Sequence, residues 1–540
     1  MMRTKLRWAL TVSIGFVAAP ARSNATELLS PDRPIDNVVD HYLDAKLAEA
    51  KVKPASTADD ANVIRRLTLD LVGRIPTAAE TRAYLDSTDP DKCAKLVDRL
   101  MTSPGFVRHQ ANEFNALLMA GTPGSARDYL KDAFQADRSW DQIFRDVMLA
   151  DESDAGRKGS SAFLKPRAKD LDRLTSDVSS TFFGVNVSCA KCHDHPRVKD
   201  WKQDHFYGMK SFLNRTFENG DFLGERSYGV VKFKTTEGQE KQAKFMFLTG
   251  RTVDVQEKEP SKDEQKKERE SLEEARKKKV APPAPTFSAR AKLVEVALQL
   301  GERDFFARAV VNRVWYRLFG HGLVMPLDQM HSENPPSHPE LLEWLARDTI
   351  AHGYNLRRLT RGLVLSRAYA RSSRWESGEP PRASLFAVAN VRPLSPVQLT
   401  TSMWVAVSDP ELFATKANPA EIEQRIEGLE SRGQGLAATM ARPGEDYSIG
   451  VSEALLMSNS DQLKGLLGEG GDRLLTRLVQ TKDAGERIEL VVRNVLSRPP
   501  GDDEGSLLGE FLRGHDDKPV EGCRQLLWAL LTSAEFRFNY

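Results

Sequence analysis

The chain has 540 residues, 40% of them hydrophobic and 28% charged, so it is long enough for two or more buried cores and ordinary enough in composition to be globular rather than broadly disordered. Lys and Arg number 77 against 76 Asp and Glu, a net charge of +1, which excludes a bulk field drawing the chain to nucleic acid or an acidic membrane.

Arg3, Lys5 and Arg7 form a basic stretch ahead of a short, mostly apolar run from Trp8 to Ala19, and small residues follow at Ala19-Pro20-Ala21 and Ser23-Asn24-Ala25. This pattern predicts a signal peptide over 1–25, since the run falls short of the roughly 20 apolar residues needed to span a bilayer. The mature chain is therefore expected to be periplasmic or secreted, without a membrane span. In an oxidising compartment Cys93 and Cys523 could pair, although sequence distance says nothing about their separation, and two buried thiols are the simpler expectation.

Residues 26–255 read as a first domain. A helix is expected over Ile35 to Ala50. Thr57 with Asp60 forms a capping box ahead of a helix ended by Gly73 and Pro76, and Thr77 with Glu80 repeats the device. Asp89-Pro90 opens a helix that places Cys93, Leu96, Val97, Leu100 and Met101 on one stripe. Ser103-Pro104 opens another helix, and Ser139 with Gln142 caps one reaching about Ala150. A helix over about Leu171 to Val185 leads into Cys189-Ala190-Lys191-Cys192-His193-Asp194-His195-Pro196. After it, a helix from Asp204 to Leu213 puts His205, Met209 and Phe212 on one face. Gly229 to Lys234 and Ala243 to Leu248 flank Thr235-Thr-Glu-Gly-Gln239 and predict a β-hairpin, the one clearly β part.

Residues 256–286 are charged and then Pro-rich, and read as a solvated helix or loose linker at a domain boundary. Residues 287–540 read as a second helical domain. Its helices include one lined by Phe305, Phe306, Val310, Val314 and Leu318 and stopped at Gly320-His-Gly322, and one opened by Ser337-His-Pro-Glu340. Others start from Ser395 with Gln398, from Val451, from Ala484 and from Val520. The expected fold class is mainly α: two helical domains with a small β-hairpin insertion. Glycine-rich phosphate loops, nucleophile elbows and HExxH are absent from the sequence.

The cysteine stretch carries the explicit chemistry. CxxCH is the pattern that attaches haem c: each thiol adds to a vinyl group, and the following imidazole reaches the iron. Export and the motif support each other. On that reading Cys189 and Cys192 form the thioethers, His193 is the proximal ligand, and His205 and Met209 are the nearest candidates for the sixth position. An alternative uses Cys189, Cys192 and His195, with His193 or His205, to hold zinc. A third has no cofactor, only a Cys189–Cys192 disulfide or two buried thiols. His321, His331, Glu333 and His338 cluster in sequence and could bind metal or do acid/base work, although helix capping and helix termination account for Ser337-His-Pro-Glu and Gly-His-Gly.

These motifs resemble a family of large secreted proteins abundant in planctomycetes, which pairs a cytochrome-like domain with a planctomycete-specific domain of unknown function. The resemblance rests on Arg65-Arg-Leu-Thr-Leu-Asp-Leu-Val-Gly-Arg-Ile-Pro-Thr77, Ser103-Pro-Gly-Phe106, Ser139-Trp-Asp-Gln142 and the CxxCH stretch in the first half. In the second half it rests on Phe306 to Trp315, Phe319-Gly-His-Gly322, Asn334-Pro-Pro-Ser-His-Pro-Glu-Leu-Leu342, Leu365-Ser-Arg-Ala-Tyr369 and Leu530 to Phe536. Arg197 stands where many relatives have an aromatic residue. The resemblance implies a covalent haem site at Cys189, Cys192 and His193, and hence electron transfer or another redox role in the periplasm with an unidentified redox partner. The competing expectation is a binding or assembly protein with an extracellular polymer as partner, in which the Cys/His motif is a zinc or disulfide staple.

Overall fold

The structure, a computed structural model, describes residues 28–255, 259–299, 301, 304–376, 378–414, 418–443 and 461–540. The signal-peptide region and the helix expected from Val451 lie outside the described residues. The fold is mainly α-helical, with short two-stranded antiparallel sheets set among the helices.

The first half runs α1 (Ile35–Ala50), α2 (Asp60–Val72), α3 (Ala78–Leu85), α4 (Lys92–Thr102), α5 (Pro104–Leu118), α6 (Arg127–Gln135), α7 (Trp140–Met148), α8 (Leu171–Phe183) and α9 (Gln203–Leu213). Strands β1 (Thr216–Asn219), β2 (Phe222–Glu225), β3 (Lys232–Lys234), β4 (Glu240–Gln242), β5 (Phe245–Met246) and β6 (Thr252–Val253) follow. Beyond them come α10 (Lys262–Lys278), α11 (Ala289–Ala297), α12 (Asp304–Phe319), α13 (Pro339–Ala351), α14 (Leu356–Val364), β7 (Arg392–Pro393), α15 (Pro396–Ala406) and α16 (Pro419–Ala437). Helices Leu474–Gln480, Ala484–Leu496, Asp502–Arg513 and Pro519–Thr532 precede the terminal strand β8 (Phe538–Asn539).

Side-chain caps set many of these boundaries, by supplying partners to backbone N–H groups that a helix start leaves unpaired. The Thr77 hydroxyl accepts from the Glu80 N–H while the Glu80 carboxylate accepts from the Thr77 N–H, and Ser395 with Gln398 does the same. Three caps differ from expectation. α4 starts at Lys92 after Asp91 rather than on Asp89, whose carboxylate accepts from the Asp91 N–H. α2 starts on Asp59, which accepts from the Asn62 N–H, because Thr57 is drawn into a β-bridge with Arg371; α13 starts after His338 rather than Ser337.

The β region also differs in detail. β3 pairs with β4 across the expected turn, but the run from Ala243 does not complete that hairpin, since β5 turns back on β6. An earlier hairpin, β1 with β2, closes through Gly220-Asp221, where glycine takes the positive φ of 67° that a tight turn needs.

One hydrophobic core collects residues from Ile35 to Phe386 and so draws on both sides of the charged segment. At its centre Trp140, Phe144 and Phe183 meet Phe306 of α12, with Phe144 and Phe306 ring centroids 4.9 Å apart and Trp140 stacked on Phe306 at 6.2 Å. A second core gathers residues from Leu394 to Phe536 together with Leu69 and Ile75. The charged stretch forms α10, which lies on the first hairpin: Asn219 Nδ2 donates to the Leu272 carbonyl at 3.2 Å, and Glu268 accepts from the Ser227 N–H at 2.9 Å.

α2 joins the two cores through buried polar groups. Arg65 donates to the Glu535 and Phe536 carbonyls, and Arg66 to those of Tyr369, Arg371 and Tyr540. Asp70 accepts from Arg392, Tyr369 and Asn539. The conspicuous Arg-Arg-x-x-x-Asp stretch is therefore an internal brace between chain ends.

Candidate functional site

The cysteine stretch sits where α8 ends and α9 begins. Gly184 stops α8 with a positive φ of 66°, and residues Ser188–Lys191 form one 3₁₀ turn. Val187 and Ala190 are fully buried, and they pin the turn from beneath. The motif residues around them face outward: Cys189 and Cys192 are exposed free thiols, and His193 is exposed as well. Cys93 and Cys523 are also unpaired, Cys93 at the edge of the first core and Cys523 inside the second.

A polar frame holds the turn. Gln203, at the start of α9, donates its side-chain amide to the Cys192 carbonyl at 3.2 Å, and its backbone N–H donates to Asp194 at 2.9 Å. The Tyr207 hydroxyl donates to the Lys191 carbonyl at 3.1 Å, and its ring stacks on Phe233 at 4.1 Å, which leaves an aromatic pair beside the turn. Lys191 and Lys210 both pair with Asp172; burial would push that carboxyl up, but the two ammonium groups hold it below the usual range. Behind the turn the buried Trp201 accepts the His195 N–H on its carbonyl at 2.8 Å, which closes the loop.

The three histidines differ in which ring nitrogen is free. His193 Nδ1 lies 2.7 Å from the Asp194 carbonyl, an acceptor, so in the neutral ring Nδ1 carries the proton and Nε2 keeps its lone pair. His195 Nδ1 accepts from the backbone N–H groups of Val198 at 3.0 Å and Arg197 at 3.3 Å, so in the neutral ring the proton is on Nε2. His205 Nδ1 likewise accepts, from the Lys202 N–H at 3.1 Å, as the cap of α9, and burial lowers its pKa. Met209 is fully buried in the first core.

This donor set fits a covalently held haem at its attachment side: two accessible thiols in one turn, and an adjacent exposed imidazole with an unprotonated Nε2. It fits zinc less well. His195 and His205 have spent the lone pair of Nδ1 on backbone donors and hold the proton on the other nitrogen, and among the described residues no three His, Cys, Asp or Glu side chains converge as a metal site.

The second half closes on this loop. Asn186 donates its backbone N–H to the Asp328 carbonyl at 2.8 Å and its amide to the Asp328 carboxylate at 2.9 Å, and Val185 bridges Gln329. Asp200 accepts from the Ser332 N–H at 2.7 Å and from its hydroxyl at 2.8 Å. His331 stands near Asp200, His195 and Glu333, and burial lowers its pKa. His321 and His338 are elsewhere, each packed against Phe386, at 6.2 and 5.6 Å between centroids; burial lowers His338 to about 4. The second-half histidines that are neighbours in sequence are thus divided between two places. The contact of the 328–332 loop with the cysteine loop had no signal in either segment alone.

A family model described as PSCyt2, protein of unknown function (DUF1549), matches residues 38–218, and one described as PSD1, protein of unknown function (DUF1553), matches residues 289–434. No curated protein and no solved structure matches the chain. The chain is thus similar, in its two halves, to two families of proteins of unknown function, and the cysteine turn falls within the first.

Proposed function

We propose that this chain is a secreted c-type cytochrome-like protein that would hold haem through Cys189, Cys192 and His193, and serves electron transfer or another redox role in the periplasm. The observation that carries this reading is the state of His193. It alone among the histidines of the motif region donates from Nδ1, to the Asp194 carbonyl, and so presents Nε2 as a free ligand beside two exposed thiols. Bound there, haem would supply one-electron redox chemistry. The chain's own part is to hold the thiols outward on a turn anchored by Val187 and Ala190, and to fix the His193 ring through the Asp194 carbonyl. Met209 is buried in the core and His205 Nδ1 caps α9, so of these three side chains His193 is the one that would hold the group.

The test is a visible spectrum and a denaturing-gel haem stain of the full chain, produced with a periplasmic haem-attachment system, beside Cys192→Ser. A Soret band and a stain that survives denaturation, both lost in the variant, support the reading. A colourless, folded chain refutes it. Zinc analysis and thiol counting on the same sample then separate a metal staple from a disulfide.

A further inference from the structure

A cavity of about 480 Å³ lies where α2, α5 and α12 meet the segment 391–398, between the two hydrophobic cores. None of its walls comes from the cysteine turn. Phe114, Leu117, Val314 and Leu327 give it apolar walls, and Arg313, Arg317, Arg392 and Arg442 face it together with Asp70 and Glu113. Four guanidinium groups against two carboxylates leave a surplus of positive charge.

The carboxylates are already engaged. Asp70 accepts from both Arg392 terminal nitrogens, at 2.9 and 2.8 Å, from the Tyr369 hydroxyl at 2.6 Å and from Asn539 at 2.9 Å. Glu113 accepts from Arg442 at 2.7 Å; burial pushes its carboxyl up, but Arg442, His109 and Arg317 outweigh that and leave it at about 2. His109, on the same wall, is buried, and burial lowers its pKa, which favours the neutral ring and leaves the surplus unchanged.

Arg317 is the cavity-lining guanidinium left wanting: Arg392 and Arg442 are paired with Asp70 and Glu113, whereas Arg317 donates its Nη2 to the neutral Gln110 at 2.9 Å and stands over the Phe114 ring at 5.8 Å. A guanidinium that lines a cavity without a counter-charge favours an anion, and a carboxylate is the planar acceptor that its fork matches best. The apolar walls favour an organic body over a bare inorganic anion.

We infer that this cavity binds a small organic carboxylate, whose anionic end meets Arg317 and whose body lies against Phe114, Leu117 and Val314.

Isothermal titration of the full chain tests this with benzoate and D-glucuronate, each against its neutral counterpart, benzyl alcohol and D-glucose. One of the carboxylates is expected to bind saturably with a Kd below about 1 mM, its neutral counterpart giving no heat. Arg317→Gln is expected to weaken that binding by about tenfold or more, as loss of a charge-assisted contact does. Val391 lies on the cavity edge and is 52% exposed, so Val391→Trp obstructs the cavity without disturbing a core, and it carries the test if Arg317→Gln fails to fold. Silence from both carboxylates, equal binding of the neutral compounds, binding of inorganic phosphate alone, or unchanged affinity in a folded Arg317→Gln or Val391→Trp chain would each overturn the assignment.

Discussion

Asp70→Asn is the substitution that should damage this fold most for the least change in shape. The Asp70 side chain is 2% exposed and receives hydrogen bonds from Arg392, Tyr369 and Asn539, which arrive from β7, from the turn after α14 and from β8. The amide keeps the volume but removes the charge, and it turns a donor toward groups that are themselves donors. Arg392, whose side chain is 16% exposed, is then left without its counter-charge. Breaking a buried ion pair from one side costs about 3–5 kcal/mol. At roughly 2–4 °C per kcal/mol for units of 150–250 residues, a loss of about 4 kcal/mol lowers the melting of the second core by about 8–16 °C. Thermal unfolding followed by circular dichroism, with limited proteolysis to locate the first segment released, reads this directly. The double variant Asp70→Asn/Arg392→Gln should recover part of the loss, because the stranded charge is gone. A single variant that melts within about 3 °C of the parent, or a double variant worse than the sum of the singles, would show that this network does not brace the cores.

Acid should weaken the start of α3. Burial pushes Glu80 up, but Arg74 and the Thr77 N–H outweigh it and hold the carboxyl at about 2, below its ordinary value of 4.5. Its contribution is therefore complete above 4.5 and is lost as pH falls toward about 2, so the melting temperature of Glu80→Gln should depend less on pH across that window than that of the parent. Equal slopes would deny the coupling. Gly208→Ala should destabilise by about 1–3 kcal/mol, the usual range for overpacking, because a Cβ there would lie 2.6 Å from the Met246 Cβ and 2.8 Å from its carbonyl oxygen; chemical denaturation checks it.

What could be read from the chain was what neighbouring residues decide among themselves. Thr77 with Glu80, Ser103 ahead of Pro104, and Ser395 with Gln398 each satisfy a helix start within three positions, and each stands where it was expected. The thiols and His193 were legible for the same reason. The first hairpin was available too, in the Gly220-Asp221 turn, but its strands are short and its phenylalanines do not alternate cleanly. Thr57 lost its capping role to Arg371, a residue far along the chain that no local pattern announces. The tautomers that separate His193 from His195 and His205 depend on which backbone group lies opposite each ring, and three-dimensional placement alone decides that. Asp70 and Arg392, and Ser332 with Asp200, are distant partners of the same kind.

The aromatic centre of the first core also bears on the order in which the chain can fold. Trp140, Phe144, Phe182 and Phe183 are synthesised well before Phe306, and the charged α10 emerges between them. Until α12 arrives, that cluster lacks the ring around which the others are arranged. Domains usually close one after another as synthesis proceeds. Here a chain that stops before residue 304 keeps an open aromatic seam, and a charged helix that looks like a boundary is crossed by the core before either side is finished.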